Sequence, residues 1–250
     1  MTTSNTVTVV ISVSGGRTSA YMAEWCSNNR DAIARHLNVE PDCLRLLFIF
    51  ANTGLEHDDT LRFMHDVDRL HLNNEVVWLE SVFDQRQGKG VKHRVVTYDT
   101  AYQFNQWWDR NHPFHAYVRK HGVPNVKFKS CTRELKLRVI RSYLREQGFK
   151  SGTDYWTAIG IRTDETRRVS KNADAEKIFY PLVDINPVDK EDVLMFWEDF
   201  EHDLNIPEHQ GNCLTCFKKS FKKQMTLWQE MPEIWDMVKF MESEYGMIGA

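Results

Sequence analysis

A run of β-branched residues near the N-terminus ends in a Ser-Gly-Gly turn. Residues 7–13 (Val-Thr-Val-Val-Ile-Ser-Val) predict a buried strand. Gly15 and Gly16 permit a tight turn and let backbone N–H groups approach a ligand, and the chain from about Thr18 suits a helix. A strand, a glycine turn and a helix N-terminus together form a cradle for anions, most often for phosphate. The alternative is an ordinary strand-to-helix turn that needs its glycines for geometry.

This loop differs from two common phosphate-binding patterns. It lacks the Gly-Lys-Ser/Thr of the Walker A motif and the third glycine of the dinucleotide-binding pattern. It resembles the Ser-Gly-Gly-x-Asp-Ser loop of the adenine nucleotide α-hydrolase superfamily, whose ATP pyrophosphatases and sulfonucleotide reductases bind the nucleotide there. Thr18 stands where that superfamily usually has an aspartate.

Length and composition restrict the classes of protein to consider. The 250 residues are enough for one α/β domain, and we expect it over 1–205 with a helical tail over 206–250 packed on it. No run approaches eighteen apolar residues, and no signal peptide is expected. Five cysteines are too few for a disulfide scaffold, which favours the cytoplasm. The net charge of −3 leaves only a local patch for any nucleic-acid contact.

Further apolar runs predict a parallel sheet. Strands are expected at residues 44–50, 75–79 and 155–159, with helices between them. Strands alternating with helices predict a doubly wound, mostly parallel α/β sheet that binds ligands at the carboxyl ends of its strands. Two of those ends carry the Ser-Gly-Gly loop and Asn52-Thr53-Gly54.

Three helices are predicted from their apolar spacing or flanking residues. The first runs from 58 to 70, the second starts at Cys131, and the third runs from about 190 to 204. The stripes predicted for the core are Leu61, Met64, Val67 and Leu70 in the first helix and Leu137, Ile140 and Leu144 in the second.

The segment between residues 84 and 130 is less regular. Residues 85–94 are basic and contain glycine, which predicts a surface loop. Residues 104–115 are rich in aromatic side chains, which either pack an insertion on the sheet or help to clamp a nucleotide. The basic residues that would assist such a clamp are Arg110, Arg119, Lys120 and Lys127.

An arginine-rich loop follows the strand at 155–159. Arg162, Arg167 and Arg168 suit bidentate recognition of phosphate or sulfate oxygens. The alternative is a solvated charged loop, with Asp164 and Glu165 as local partners.

Five motifs occur in the order found in the phosphoadenosine phosphosulfate (PAPS) reductase family. They are Ser-Gly-Gly-Arg-Thr-Ser, Asn-Thr-Gly, Cys-Thr-Arg-Glu-Leu-Lys, Gly-Ile-Arg-Thr-Asp-Glu and a Cys-x-x-Cys tail. Together they span about residues 7–220, and the chain most resembles the short phage- and plasmid-borne relatives of that family. The resemblance implies an adenine nucleotide, ATP or a sulfonucleotide (PAPS or APS), with Mg²⁺.

The resemblance also implies roles for individual residues. The nucleotide phosphates would be held by Ser14, Gly15, Gly16, Arg17, Thr18 and Ser19. The residues beside the adenosine would include Asn52, Thr53 and Gly54. The catalytic groups facing the anionic end would be Lys136, Arg162 and Arg168.

Two departures weigh against ordinary sulfate reduction. Assimilatory PAPS reductases end in Glu-Cys-Gly-(Leu/Ile)-His, whereas residues 244–250 here are Glu-Tyr-Gly-Met-Ile-Gly-Ala. Cluster-bearing reductases use a Cys-Cys pair where this chain has Ser130-Cys131. The resemblance therefore favours a related activity, and a sulfonucleotide reductase that uses an internal or partner thiol is the alternative.

Three cysteines remain at the family's cluster positions: Cys131, Cys213 and Cys216. They would leave one iron of a [4Fe–4S] cluster open, as in tRNA-thiolating relatives. With His209 as a fourth ligand they would instead bind structural zinc, and without metal Cys213 and Cys216 would be a redox dithiol. Cys26 and Cys43 are expected to be buried thiols.

The resemblance thus implies an ATP pyrophosphatase-type enzyme that adenylates a substrate and transfers sulfur to a nucleic-acid base or small molecule. A sulfur-donor protein would be its partner, no membrane is expected, and a homodimer is an open option. A binding module with structural zinc is a further alternative. The lysines at 218, 219, 222 and 223 fit either a polyanionic substrate or a solvated face.

Overall fold

A computed structural model describes residues 6–247. The first five residues and the last three, which belong to the ends of the two expected domains, lie outside the described residues. The chain is α/β, with a six-stranded, mostly parallel sheet in the order β4-β3-β2-β1-β5-β6. The strands are β1 Val7–Val13, β2 Leu44–Asn52, β3 Val77–Phe83, β4 Val91–Val96, β5 Tyr155–Ile159 and β6 Ile178–Phe179.

The α-helices separate β1 from β2, β2 from β3 and β4 from β5, and they follow one another after β6. The first four are α1 Arg17–Asn28, α2 Arg30–His36, α3 Asp58–His71 and α4 Pro113–His121. The others are α5 Arg138–Glu146, α6 Pro181–Asp184, α7 Lys190–Glu198, α8 Phe221–Glu230 and α9 Pro232–Tyr245. The α/β class is as predicted.

The chain divides into two compact units, here called the first and second units. The first unit contains the chain up to Phe50, Phe63–Val77 and Leu144–Leu204. The second contains Ala51–Arg62, Trp78–Tyr143 and the chain from Asn205. The division expected from the sequence, at 205/206, stays a prediction.

The first unit is built around β1, which has a parallel strand on each side and whose side chains are mostly buried. It pairs in parallel with β2, from Val7 opposite Leu44, and with β5, from Thr8 opposite Tyr155. Helix α7 fixes the start of α1, because the buried Trp197 donates a hydrogen bond from Nε1 to the Arg17 carbonyl over 3.1 Å.

The second unit has its own apolar core. The antiparallel pair β3–β4, from Trp78 onwards, and helices α4, α8 and α9 belong to it. Buried members of this core include Leu55, Phe114, Tyr117, Leu135, Leu214, Leu227, Ile234 and Met237. Leu214, inside the Cys-x-x-Cys segment, donates its N–H to the Leu55 carbonyl over 2.7 Å, so this segment is held beside the residues that follow β2.

Two predicted helical stripes need correction. Leu61, Met64 and Val67 are buried, but Leu70 is 51% exposed. The helix from Cys131 contains a π-helical turn over Arg133–Leu137, which inserts a residue and rotates the apolar face. Leu135 and Val139 are therefore buried, and Leu137 is exposed.

The surface loop predicted at 85–94 is wrong in its second half, because β4 begins at Val91. This strand lies at the edge of the sheet, where charged side chains such as Lys92 and Arg94 are typical. The helix predicted to reach 204 ends at Glu198. Among residues 6–247, no helix has the length and apolar character required to cross a membrane.

Candidate functional site

The Ser-Gly-Gly loop of the first unit has an ordered network of hydrogen bonds. Gly15 has a φ of 89°, a conformation that side chains disfavour. Ser19 Oγ donates to the Gly16 carbonyl over 2.9 Å and accepts from the Ser14 N–H over 3.0 Å. The two serine hydroxyls are 2.9 Å apart. The loop is therefore held rigidly between β1 and α1.

Gly16 directly precedes α1 and leaves space in front of the helix. Its φ of −96° is open to any residue, and no side chain caps the helix there. A Cβ built at Gly16 would meet no heavy atom within 4 Å. The glycine thus keeps a space free at a helix N-terminus, where N–H groups and the helix dipole favour an anion.

Arg162 extends from the loop after β5 to the same helix start. Its Nη1 donates to Thr18 Oγ1 over 2.7 Å. Its Nε donates to Asp164 over 2.8 Å, and Glu165 lies 3.4 Å from its Nη1. The hydrogen bond with Asp164 is the main cause that raises the pKa of the guanidinium. Arg162 is 15% exposed in its side chain and provides a fixed positive charge beside the loop.

The end of β5 and the start of α1 are in close contact. A Cβ at Gly160 would lie 3.2 Å from the Ser19 Cα, closer than side chains normally pack. The chain passes from β1 to β2 on one side and has β5 on the other. Such a reversal of strand order is where open α/β sheets bind ligands, at the carboxyl ends of the strands.

Two arginines predicted to contact the nucleotide have other partners. Arg17 forms a two-pronged ion pair with Asp203, with both N···O distances at 2.7 Å. Arg168 is 56% exposed in its side chain and pairs with Glu165 over 2.5 Å. The backbone of Arg17 still belongs to the first turn of α1. The side chain of Arg168 contacts only a residue of its own loop among the ion pairs described above.

Asn52 lies in a buried polar network of the second unit. Its side-chain amide donates to Glu80 Oε1 over 2.7 Å and to the Tyr102 carbonyl over 2.8 Å, and its Oδ1 accepts from the Gly54 N–H over 3.0 Å. Glu80 is fully buried; burial raises its pKa, and Arg94 opposes that effect. Asn52 therefore shapes the turn after β2 and presents no side chain at the surface.

Thr53, Glu56, Lys136 and Cys213 form a second polar group, here called the thiol group. Glu56 Oε2 accepts from the Thr53 N–H over 3.0 Å and from its hydroxyl over 2.8 Å. Glu56 Oε1 lies 3.5 Å from Lys136 Nζ and accepts from the Cys213 thiol over 3.9 Å. Thr53 Oγ1 is 3.4 Å from Cys213 Sγ. Residues distant in sequence thus meet around one thiol.

Electrostatics hold this thiol in its neutral form. Burial, and after it the charge of Glu56, raise the pKa of Cys213 to about 12 against the opposing effect of Lys136. Burial lowers the pKa of Lys136, but Glu56, Cys213 and Cys131 together outweigh burial, and the pKa is raised. The thiol group therefore pairs the Glu56 carboxylate with the Lys136 ammonium. The Cys213 thiol beside them would lose its proton readily only if its pKa were lowered.

The three predicted metal ligands lie in the same part of the second unit. Cys216 is close enough that its charge contributes to raising the pKa values of both Cys131 and Cys213, for which burial is the main cause. All three are free thiols. However, residues 6–247 include no group of three or more His, Cys, Asp or Glu side chains arranged to hold a metal ion.

His209, the proposed fourth zinc ligand, bonds elsewhere. Its Nε2 lies 2.5 Å from Glu230 Oε2. Lys219 donates from Nζ to the Gly211 carbonyl, and burial lowers the pKa of Lys219. The Cys-x-x-Cys turn itself is closed by a hydrogen bond of 3.1 Å from the Cys216 N–H to the Cys213 carbonyl.

Cys216 also lines an apolar cavity of about 320 Å³ in the second unit. Phe217, Trp228 and Trp235 contribute aromatic walls, and the two tryptophan rings are 4.3 Å apart. The cavity leaves room beside the thiol for an apolar group.

Sequence reasoning missed Glu56 and Glu80. Both are buried carboxylates, with 2% and 0% exposure. Nothing local distinguishes them from surface acids, because their partners lie far away in sequence. The position of Glu56, two residues after Gly54, was the one available signal.

No family model matches the chain. The chain is 32% identical over 223 residues to the uncharacterized nin region protein ORF290 of Escherichia phage lambda. The alignment covers 86% of this chain and 67% of that protein.

Proposed function

The chain belongs to the family of the nin region protein ORF290 of Escherichia phage lambda, and we propose that it is an adenine-nucleotide-binding enzyme of the PAPS reductase-like type. It adenylates a substrate with ATP and transfers sulfur to it. The substrate class is a nucleic-acid base or a small molecule. The enzyme works in the cytoplasm and receives sulfur from a donor protein; a homodimer is compatible with this proposal.

One observation carries the proposal. An open space at Gly16, a helix N-terminus and the Arg162 guanidinium occur together where the strand order reverses. Each feature favours the binding of an anion. A turn that only joins a strand to a helix does not need all three, whereas a site for a nucleotide phosphate uses them together. The loop lacks the lysine that positions the γ-phosphate in P-loop enzymes, which favours reaction at the α-phosphate.

In the adenylation step, an acceptor oxygen attacks the α-phosphorus of ATP. The bond from that phosphorus to the bridging oxygen breaks, and pyrophosphate leaves with the negative charge. Arg162 and the first N–H groups of α1 stabilise this charge. Mg²⁺ would enter bound to the ATP phosphates. In this proposal Lys136 acts in the thiol group, where its ammonium orients the Glu56 carboxylate.

The sulfur step assigned to the second unit uses its thiols. A donor persulfide passes its terminal sulfur to a cysteine thiol and leaves as a thiol. The cysteine persulfide attacks the adenylated carbon, and AMP leaves with the oxygen. A second cysteine then breaks the S–S bond, so that the product keeps one sulfur and a cysteine disulfide forms, which an external dithiol reduces. Cys213 and Cys216, in one closed turn, suit this pair.

An iron–sulfur cluster or zinc enters no step of this scheme, because the side chains do not form a ligand set among the described residues. Metal binding by Cys131, Cys213 and Cys216 is a separate proposal. Anaerobic purification followed by iron, sulfide and zinc analysis tests it directly.

A second candidate is a sulfonucleotide reductase that uses an internal thiol. The favouring observation is Cys213 beside the Lys136 ammonium, because a cation assists formation of the attacking thiolate. In that reaction the thiolate attacks the sulfate sulfur, the nucleotide leaves, and a reducing dithiol releases sulfite.

The experiment follows the nucleotide products. The protein is incubated anaerobically with α-labelled ATP, Mg²⁺, oligonucleotides, a donor persulfide and dithiol, and a parallel reaction contains PAPS. AMP and pyrophosphate support adenylation, whereas ADP as the main product would overturn it. Sulfite from PAPS would favour the reductase, and binding without any product would leave only a nucleotide-binding module.

A further inference from the structure

A basic cavity of about 470 Å³ lies in the second unit, immediately before the helix that begins at Cys131. Three of its lining side chains are cationic at neutral pH, one is an exposed aromatic ring, and two offer polar groups. The lining residues are His121, Lys127, Phe128, Lys129, Ser130 and Arg133. The function proposed above assigns no role to this cavity.

The segment that carries these side chains is ordered before any ligand binds. Asn125 Oδ1 accepts hydrogen bonds from the N–H groups of Lys127, over 2.9 Å, and Phe128, over 3.3 Å. At the other end, the Ser130 hydroxyl lies 2.7 Å from the hydroxyl of the fully buried Tyr117. A loop held at both ends loses little entropy when it binds, which favours recognition.

The charge of the cavity remains available to a ligand. Within residues 6–247, neither Lys127 nor Lys129 has an ion-pair partner, and both are exposed. The buried Glu134 is neutralised by Arg133 at 2.9 Å and by Arg138 at 3.0 Å. The first N–H groups of the helix from Cys131 add a partial positive charge. A polyanion is the complementary partner.

Phe128 narrows the class of polyanion. Its side chain is 44% exposed between the two lysines, and Val126 nearby is 67% exposed. An exposed aromatic ring flanked by cations matches the mode in which single-stranded nucleic acids bind, with the backbone on the cations and a base stacked on the ring. In a duplex the bases are paired and stacked on each other, so that no base is free to stack on such a ring.

We infer that the Lys127–Arg133 cavity binds the backbone and one unpaired base of a single-stranded nucleic acid. Cys131 follows Ser130 directly, so the bound strand would lie next to a thiol of the proposed sulfur chemistry. This inference rests on the proposed function in one respect: it names the acceptor as a nucleic acid. Binding itself requires neither ATP nor turnover.

The test measures fluorescence anisotropy of a labelled single-stranded oligonucleotide of about 12 nucleotides at several salt concentrations. The variants are Lys127→Glu with Lys129→Glu, and separately Phe128→Ala. The matched control is Lys89→Glu with Lys171→Glu, which changes the net charge equally at two other exposed positions. Circular dichroism and the thermal midpoint verify that each variant folds.

We expect the double variant at 127 and 129 to bind at least about tenfold more weakly than the control. The slope of its log affinity against log salt concentration should correspond to about one to two fewer phosphate contacts. Phe128→Ala should weaken binding by at least about fivefold. Equal losses in the control, equal affinity for duplex DNA, or equal affinity for polyglutamate would each overturn the inference.

Failure of this inference is distinguishable from failure of the proposed function. If the oligonucleotide binds as described and ATP does not bind, the cavity is retained and the adenylation proposal fails. If ATP binds and the oligonucleotide does not, only the cavity assignment fails.

Discussion

Arg162 donates a hydrogen bond of 2.7 Å to the hydroxyl of Thr18, and so joins the loop after β5 to the first turn of α1. In the superfamily that this loop resembles, an aspartate usually stands where Thr18 is. Thr18 gives the guanidinium a neutral partner, and its carboxylate partners are Asp164 and Glu165. In the proposed function, this hydrogen bond holds the guanidinium beside the start of α1, where the nucleotide phosphates would bind.

The first prediction compares two arginines of the same loop. Arg162→Ala should lower the rate of pyrophosphate release by roughly 100-fold, because it removes a fixed charge at the helix start. Arg168→Ala should have only a small effect, because Arg168 is exposed and pairs with Glu165. Pyrophosphate release at saturating acceptor measures both. Equal effects of the two substitutions would show that the loop contributes only its overall charge.

The second prediction concerns the reactivity of Cys213. Its pKa of about 12 means that iodoacetamide labelling should keep rising with pH beyond pH 10. Glu56→Gln removes a charge that raises this pKa and should accelerate labelling, whereas Lys136→Met should slow it. Labelling of each cysteine is followed by peptide mass spectrometry.

The fully buried Cys26 serves as an internal reference that should stay unlabelled while the protein is folded. A labelling rate of Cys213 that levels off below pH 8 would contradict this description. So would identical rates in the Glu56 and Lys136 variants.

The third prediction concerns stability at acidic pH. His112 is fully buried, with Nε2 3.1 Å from the Gly54 carbonyl, and burial lowers its pKa from 6.5 to about 4. Between those values the unfolded chain binds a proton that the folded chain does not, so stability rises with pH. The free energy of unfolding should therefore fall by up to about 3 kcal/mol as the pH falls from 6.5 to 4.

Urea denaturation of wild type and of His112→Gln at several pH values measures this effect. The variant is expected to be less stable overall but to lack this part of the pH dependence, because glutamine does not titrate. If the free energy of unfolding of the variant depends on pH as steeply as that of wild type, groups other than His112 cause the pH dependence.

The sequence predicted best where a pattern is local and continuous. The β-branched run at 7–13 and the run at 155–159 are strands with those bounds. It failed where a partner decides the structure. The basic residues after Val91 form an edge strand only because β3 offers them hydrogen bonds.

The site was predicted to a similar degree. The glycine loop can be found locally, because glycine at a positive φ has few substitutes. The contact of Glu56 with Lys136 and Cys213 joins residues separated by 80 and 157 positions, and no periodicity reports such a meeting. The π-helical turn at 133–137 likewise changed which leucine is buried, through one inserted residue.

The proposed function requires that the Ser14–Ser19 loop binds the phosphates of ATP, and calorimetric titration with ATP and Mg²⁺ measures this binding. Gly16→Val introduces side-chain atoms into space where no protein atom lies within 4 Å, at a φ that valine accepts. Gly90→Val is the control, since it also meets no protein atom. We predict that wild type and the Gly90 variant bind ATP equally and that the folded Gly16 variant binds at least about tenfold more weakly. Unchanged ATP affinity in a folded Gly16 variant would contradict the account.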